Sequence, residues 1–190
     1  MQRKVNLRKM LPIYYLIDTG SQMAGDKIGS INSALEEAIT VDLLDISTAN
    51  DDTEIRVAII QFSNGASWVT PGVVPFGDLI WNDLRASGAN DFGRALHLLA
   101  EDLKSFDPGT SFAPIIVAFS NAAVTDEYTQ IIEKLNQMEC FKQSHKIGVA
   151  IGEDADKEAL KIFTGSIEAV LAVNDKRTLK SLMRKTNVEV

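Results

Sequence analysis

Residues 11–23 read LPIYYLIDTGSQM, an apolar run that changes to a polar turn at Asp18. The run from Leu11 to Ile17 has the length of a strand and is much shorter than the roughly 20 apolar residues that cross a bilayer. Since consecutive positions are apolar, rather than alternate ones, we expect both faces of this strand to be covered. The stretch therefore predicts a buried central strand with a polar loop at its carboxyl end.

Downstream of this strand, helical and strand patterns alternate to the end of the chain. Apolar residues at helical spacing predict five helices, over Asp26–Ser47, Asp91–Phe106, Thr125–Met138, Asp156–Phe163 and Asp175–Lys185. Short apolar runs predict five more strands, at Glu54–Ser63, Ala66–Thr70, Ile115–Phe119, Lys146–Ile151 and Ala169–Val173. The alternation predicts the α/β class: a doubly wound, Rossmann-like, mostly parallel central sheet of about six strands with helices on both faces.

Turn signals and length complete the expected organisation. The Asn64-Gly65 pair predicts a hairpin, which makes Ala66–Thr70 an antiparallel edge strand. The segment Val73–Gly88 is predicted to be a loop with one helical turn at Leu79–Leu84. A chain of 190 residues is expected to form one domain, over 11–190, preceded by an N-terminal extension over 1–10.

Composition excludes several classes of partner and site. A net charge of −7 argues against nucleic acid, whose phosphates need a basic surface. The single cysteine, Cys140, excludes an intrachain disulfide and a cysteine-rich zinc site, and we expect it to be an unreactive, half-buried residue. No segment is long and apolar enough for a membrane span, and the run after the basic residues of 1–10 is too short for a signal peptide. These observations predict a cytoplasmic location.

Three loops are expected to meet where strand order reverses, at the carboxyl edge of the sheet. They are residues 18–23, 88–91 and 120–123, and sites in open α/β sheets form at this position. A strand ending in Asp18-Thr19, followed by small residues, Met23 and a long helix, resembles the first loop of von Willebrand factor A (vWA) domains. The resemblance continues through three later segments, Arg56–Phe62 with Ala66, Ala86–Leu96, and Pro114–Asp126. It covers about Pro12 to Val173 and is closest to the bacterial tellurium-resistance-associated branch.

The resemblance implies a metal-ion-dependent adhesion site (MIDAS) from which this chain departs. Family members bind Mg²⁺ through Asp-x-Ser-x-Ser, a Thr in the second loop and an Asp in the third. Here Asp18 matches the first Asp, and the other positions hold different residues, Gly20, Gln22, Asn90 and Asn121. One carboxylate of two remains, and amides are weak neutral ligands for a hard cation. We therefore expect a vestigial metal site at Asp18, Gln22, Asn90 and Asn121, with no cofactor; a Mg²⁺-dependent adhesion domain with atypical ligands is the alternative.

The same resemblance implies a protein-binding scaffold in a stress-response system, beside a kinase and a phosphatase. We expect partner contacts from the polar loop residues Asp18, Ser21, Gln22, Asn90 and Asn121, with apolar area from Trp68 and Trp81. The alternative for the two tryptophans is packing over the rim of the core. Asp91 and Asp126 are expected to cap helices. The basic runs Arg3–Lys9 and Lys176–Lys185 are expected to be solvated faces, or docking surfaces for an acidic partner.

A nucleotide-binding protein or an enzyme on the same fold is a further, less favoured alternative, because the residues that either chemistry needs are incomplete. The loop Gly20–Gly25 has no Gly-Lys-Ser/Thr end, and Asp26 would repel a phosphate at the helix N-terminus. His97 and His145 lie outside the strand-end loops, so Ser21 has no histidine base for a hydrolase triad. The sequence therefore predicts a non-enzyme, a protein-protein interaction module.

Overall fold

A computed structural model describes residues 8–49 and 52–188 of the chain. The strands are β1 Lys9–Asp18, β2 Thr53–Ser63, β3 Gly65–Trp68, β4 Val74–Pro75, β5 Ile115–Ser120, β6 His145–Ile151 and β7 Val170–Val173. The α-helices are α1 Asp26–Glu37, α2 Leu43–Ala49, α3 Phe92–Leu103, α4 Thr129–Leu135, α5 Glu139–Gln143, α6 Glu158–Thr164 and α7 Lys176–Val188. A π-helical segment, Ala38–Asp42, joins α1 to α2.

All seven strands form one sheet in the order β3-β2-β1-β5-β6-β7, with β4 also paired to β2. The pairs among β1, β2, β5, β6 and β7 are parallel, whereas β3 and β4 run antiparallel to β2. The predicted mostly parallel α/β sheet is confirmed. The short β4 is an additional strand, because the chain after the hairpin returns along β2 and pairs Val74 with Val57.

Strand order reverses at β1, and this reversal positions the site. From β1 the chain passes to β2 on one side, and the next parallel strand, β5, lies on the other side. The register pairs Ile17 with Phe119, so Asp18 and Ser120 end neighbouring strands. The loops that follow β1 and β5 therefore leave the sheet side by side, which is the usual place for a binding crevice.

Alternate residues of each central strand face two separate cores. On one face, Ile13, Tyr15 and Ile17 pack with residues of α1, α2 and α7; on the other, Tyr14 and Leu16 pack with residues of α3, α4, α5 and α6. This burial on both sides explains why β1 is apolar at consecutive positions. No helix in the described ranges has the length and apolar character of a membrane span.

The helical turn predicted at Leu79–Leu84 is wrong. The only turn of helix nearby is a 3₁₀ turn at Phe76–Asp78, and the following residues are extended or irregular in the described structure. Asn32 of α1 explains the difference, because its Nδ2 donates to Leu84 O and its Oδ1 accepts from Leu84 N, both at 3.0 Å. Two hydrogen bonds from a buried side chain hold this segment away from helical geometry.

Two helix predictions also need correction. The helix predicted over Asp26–Ser47 contains the π segment, where Thr40 Oγ1 donates to Glu36 O at 2.6 Å and competes with the regular ladder. The helix predicted over Thr125–Met138 begins only at Thr129 and ends at Leu135. Thr125 does not cap it, because its hydroxyl is used between loops, as described below.

At the chain ends, the strand β1 begins at Lys9, inside the predicted extension, and residues 1–7 lie outside the described residues. The basic run Lys176–Lys185 is not a purely solvated face. Leu179 and Met183 are buried, Lys180 pairs with Glu37, and Arg184 Nε lies 3.0 Å from Asp42 Oδ1. The run therefore packs α7 against α1 and the π segment. The basic run Arg3–Lys9 falls mostly outside the described residues.

Candidate functional site

Asp18 is the centre of the strand-end loops and is fully buried. Its Oδ1 accepts a hydrogen bond from Gly20 N at 2.7 Å. Its Oδ2 accepts from Ser120 Oγ at 2.7 Å, from Asn90 Nδ2 at 2.9 Å and from Asn121 N at 3.4 Å. Both carboxylate oxygens are thus occupied by donors of the protein itself. Burial raises the pKa of Asp18, and the hydrogen bonds from Ser120 and Gly20 oppose this rise in part.

Gly20 is required by a close approach of two loops. A Cβ at this position would lie 2.3 Å from Ala89 O and 3.0 Å from Asp18 Oδ1. The loops are also joined by backbone hydrogen bonds, from Ser21 N to Gly88 O at 2.9 Å and from Ser87 N to Thr19 O at 2.7 Å. This packing explains why no serine stands at position 20, since its side chain would not fit.

Asn90 joins three elements through one amide nitrogen. Its Nδ2 donates to Asp18 Oδ2, to Ser120 Oγ at 3.1 Å and to Ala122 O at 3.0 Å, and only 3% of the residue is exposed. Its Oδ1 has no hydrogen-bond partner among the described residues. A buried oxygen without a partner costs about 1–3 kcal/mol, so this atom is an unused acceptor at the site.

Asn121 connects β5 to the loop after β6. Its Nδ2 donates to Ile151 O at 2.6 Å and to Asp154 Oδ1 at 3.2 Å. Lys27 Nζ lies 3.3 Å from the same Asp154 oxygen. The hydrogen bond from Asn121, followed by that from Lys27, lowers the pKa of Asp154. The side-chain amide of Asn121 therefore joins neighbouring loops, and its Nδ2 bonds to Ile151 and Asp154 rather than to Asp18.

A cavity of about 420 Å³ opens at this edge of the sheet. Its walls are the four strand-end loops, with the lining residues Asp18, Gly20, Ser21, Gln22, Gly88, Ala89, Asn90, Asn121, Ala122, Ala123, Thr125, Asp154 and Asp156. The five polar residues predicted from the loops, Asp18, Ser21, Gln22, Asn90 and Asn121, thus come together. Ser21 and Gln22 are exposed, whereas the other three are buried.

Sequence reasoning missed the fourth loop, which contributes Asp154 and Asp156. These residues follow the apolar strand β6, which neighbours β5 in the sheet. The rule that predicted the other loops, a polar segment after a buried parallel strand, also applies here. The run Gly152-Glu153-Asp154 was therefore an available signal.

Asp91 and Asp126 do not line the cavity, and they stabilise its loops through hydrogen bonds. Asp126 caps α3, accepting from Gly93 N at 2.8 Å and Arg94 N at 2.9 Å. Asp91 is the N-cap residue of α3, as predicted, but its side chain makes no capping hydrogen bond. It accepts from Gly65 N at 2.7 Å and from Thr125 Oγ1 at 2.8 Å. The Thr125 hydroxyl also accepts from Asn90 N, which places Asn90 over Asp18.

The two tryptophans lie outside the cavity and pack against different cores. Trp68 is half-buried against the core that contains Tyr14, and Trp81 is half-buried against the core that contains Tyr15. Neither lines the cavity. The two indoles therefore lie at the rims of different cores, and partner contacts from Trp68 and Trp81 stay a prediction.

The donors found here do not fit the magnesium site that the loop resemblance implies. Asp18 already accepts hydrogen bonds at both oxygens, and Asn90 presents its N–H₂ group to that carboxylate rather than its oxygen. Gly20 supplies no side-chain oxygen. Within the described ranges, no cluster of three His, Cys, Asp or Glu side chains could hold a metal. A hard cation needs oxygen ligands that are free to coordinate.

The two histidines and the cysteine lie outside the cavity lining. His97 is exposed on α3, and His145 is exposed at the start of β6, on the opposite edge of the sheet from the cavity. Cys140 is half-buried, and burial raises the pKa of its thiol. A raised thiol pKa disfavours the reactive thiolate.

Comparison with known proteins shows likeness at the level of structure. Family models and curated protein sequences gave no significant match. The ArnB paralog VWA2 from Sulfolobus acidocaldarius superposes with a TM-score of 0.67 at 16% identity, over 92% of this chain and 44% of that protein. Proximal thread matrix protein 1 from the mussel byssus, with a zinc-occupied MIDAS motif, gives 0.64 at 15% identity, over 95% and 48%.

The VWA domain of SpRpn10 gives a TM-score of 0.63 at 15% identity, over 90% of this chain and 93% of that one. This chain spans less than half of the length of the first two proteins. Sequence identities this low establish the fold and leave function to be argued from the site. The chain has the von Willebrand factor A fold.

Proposed function

We propose that this chain is a non-catalytic protein-binding module that holds its partner in the strand-end cavity by direct contacts, without a bridging divalent cation. The observation that carries the proposal is the state of Asp18. Its carboxylate is closed in by Gly20, Asn90 and Ser120, while Ser21 and Gln22 remain exposed beside it. An interior acceptor saturated by fixed donors stabilises the loops, and the exposed polar residues at the cavity supply the contacts.

The lining of the cavity supports a binding role over a catalytic one. It contains no histidine, cysteine or lysine. Ser21 therefore has no histidine base or cationic neighbour in the cavity wall to activate its hydroxyl. The remaining lining groups are hydrogen-bonding side chains, small residues and carboxylates, which suit recognition.

Capture of a partner from a lysate of the source organism tests the proposal. The experiment compares the wild type with Gln22→Arg, which fills the cavity mouth, and with Gln143→Arg, the same change in an exposed residue at the opposite edge of the sheet. We expect one partner that wild type and Gln143→Arg retain equally in Mg²⁺ or in EDTA, and that Gln22→Arg loses. A partner retained by Gln22→Arg, or released by EDTA, contradicts the proposal.

A cation-dependent adhesion domain is the second candidate. One observation favours it: the similar mussel protein has a zinc-occupied MIDAS motif. Calorimetric titration with Mg²⁺, Mn²⁺ and Ca²⁺ separates the candidates. Binding at millimolar or lower concentration that is lost in Asp18→Ala supports the adhesion domain, and the absence of heat supports the direct-contact module.

The biological setting that we propose for this module is a bacterial stress response. Resemblance of the loops to the tellurium-resistance-associated branch supports a cytoplasmic role in a bacterial stress response, together with a kinase and a phosphatase. Genes for these two enzymes beside the gene for this chain are the expected finding. Neighbouring genes for surface adhesion or secretion would argue for a different setting.

A further inference from the structure

The strand-end cavity is lined by acceptors and negative charge. Three of its lining residues are aspartates, Asp18, Asp154 and Asp156, and none is lysine, arginine or histidine. Asp154 and Asp156 are exposed, and Asp156 forms no ion pair with any other described residue. Lys27 pairs with Asp154. A carboxylate brought to this cavity would meet the like charge of Asp156, which has no ion-pair partner among the described residues.

The unused acceptor of Asn90 is a second, independent observation. This residue lines the cavity, is 3% exposed and leaves its Oδ1 without a partner within the described structure. The orientation of the Asn90 amide is fixed, because its nitrogen faces two acceptors, Asp18 Oδ2 and Ala122 O. If the amide were reversed, its oxygen would face these acceptors and be repelled. This oxygen is covered by the surrounding protein and has no donor, so it adds to the acceptor-rich character of the cavity wall, which favours a ligand that carries donors.

We propose that the cavity accepts a basic side chain, lysine or arginine, of the protein partner. Ammonium and guanidinium groups carry donors and no acceptors, and their positive charge complements Asp154 and Asp156. A volume of about 420 Å³ lies within the range of about 300–1,000 Å³ for protein ligand pockets. This inference rests on the proposed function and gives the chemistry of the partner. It is the reverse of metal-bridged recognition, in which a cation would hold a carboxylate.

Nuclear magnetic resonance with short peptides tests this inference. The probes are acetyl-Gly-Gly-X-Gly-Gly-amide peptides in which X is arginine, lysine, citrulline or glutamate, added at millimolar concentration to the ¹⁵N-labelled full chain. Citrulline keeps the shape of arginine and removes its charge. We expect the arginine or the lysine peptide to shift the amide signals of residues 20–22, 89–91 and 121–123. Citrulline and glutamate peptides are expected to leave these signals in place.

A pair of charge variants locates the interaction. Asp156→Asn removes an unpaired lining carboxylate, and Asp45→Asn removes the same charge from the exposed surface of α2. We expect Asp156→Asn to weaken binding of the basic peptide about three- to fivefold, the size typical of an exposed ion pair. Asp45→Asn is expected to change it little. The dispersion of the amide spectrum shows whether each variant is folded.

The two proposals fail in different ways. No shift with either basic peptide, or equal shifts with citrulline, overturns the inference of a basic side chain. So does equal weakening by Asp156→Asn and Asp45→Asn. None of these peptide results changes the conclusion from the lysate experiment. A partner that Gln22→Arg loses and Gln143→Arg retains would still support the protein-binding module. Loss of that contrast in the lysate overturns the proposed function itself.

Discussion

At the scale of single residues, the site is decided by what surrounds one buried carboxylate. Asp18 faces protein N–H and O–H groups at both oxygens, and Asn90 takes the position in front of Oδ2. An amide in this place provides a partial positive charge without any metal. The consequence is that hydrogen bonds within the chain join the loops after β1 and β5.

Gly20 allows a first prediction. Gly20→Ala places a Cβ 2.3 Å from the Ala89 carbonyl oxygen, so one loop must shift, and we expect a loss of about 1–3 kcal/mol in the free energy of unfolding. The control is Gly29→Ala in α1, where a Cβ meets nothing within 4 Å. That change should stabilise by about 0.5–1 kcal/mol, because alanine is the better helix former. Urea denaturation of both variants measures the difference; equal effects would contradict the close approach.

The pKa values of two cavity aspartates provide a second prediction. The Asp18 pKa is raised above its ordinary 3.8 by burial. The folded state therefore binds this proton more tightly, and the contribution to stability is complete below pH 3.8 and is lost as pH rises through the raised pKa. For Asp154 the hydrogen bonds from Asn121 and Lys27 lower the pKa, so its contribution is present above 3.8 and is lost as pH falls through the lowered pKa.

Carboxyl ¹³C resonances followed against pH check this directly. The Asp18 midpoint is expected above 3.8 and the Asp154 midpoint below it. Midpoints that coincide would show that burial and hydrogen bonding do not separate the two groups as the structure indicates.

At the scale of elements, pattern predicted the sheet well and the irregular segments poorly. The central strand β1 and the helix α3 were predicted because consecutive apolar residues and helical spacing reflect burial on the sheet. Leu79–Leu84 failed because a distant side chain, Asn32, takes over both backbone groups of Leu84. The helix predicted from Thr125 failed for the same kind of reason, since that hydroxyl bonds with Asn90 and Asp91. Long-range hydrogen bonds of this kind leave no periodic trace in a sequence.

The same limit applies to the site. The five loop residues were predicted to meet because the carboxyl ends of parallel strands lie on one edge. What could not be predicted was the direction of each amide. Asn90 and Asn121 both looked like weak oxygen ligands, yet each turns its nitrogen to an acceptor of the chain. Side-chain orientation depends on neighbours brought together only by folding.

Asn32 provides a third prediction, at the element scale. Asn32→Ala leaves the N–H and C=O of Leu84 without their partners in a buried setting, and we expect a loss of about 2–4 kcal/mol in stability. Asn82→Ala in the same segment is the control, because its side chain is exposed and makes one long contact of 3.5 Å to Ile80 O. Its effect should stay within about 0.5 kcal/mol. Thermal unfolding of the two variants distinguishes them, and equal losses would contradict a role for Asn32 in holding the loop.

At the scale of the whole molecule, the sheet separates two cores, and α7 closes one of them. The helix buries Leu179 and Met183 and places Arg184 Nε at 3.0 Å from Asp42 Oδ1. Asp42 is 6% exposed, so its charge depends on a partner. The ion pair therefore joins α7 to the π segment Ala38–Asp42, which is distant from it in sequence.

Removing that arginine gives a fourth prediction. Arg184→Ala leaves the buried Asp42 carboxylate without its ion pair, and we expect a loss of stability that is smaller than for a fully buried pair, because Arg184 is largely exposed. Arg177→Ala removes the same type of charge from an exposed position of α7 and is expected to have little effect. Hydrogen exchange of the α7 amides should rise in Arg184→Ala only. Equal exchange in both variants would show that the helix is held by its apolar face alone.

The bonds made by Asn90 have a kinetic consequence. Because this one amide nitrogen already joins Asp18, Ser120 and Ala122, the wall of the strand-end cavity is assembled without a ligand, and under the proposed function the partner meets a preformed site. Association should then be limited by diffusion and orientation, with little delay for rearrangement, and changes at the cavity should act mainly on the lifetime of the complex. Under the proposed function, the chain binds its partner at a preformed surface and does not change its own conformation to do so.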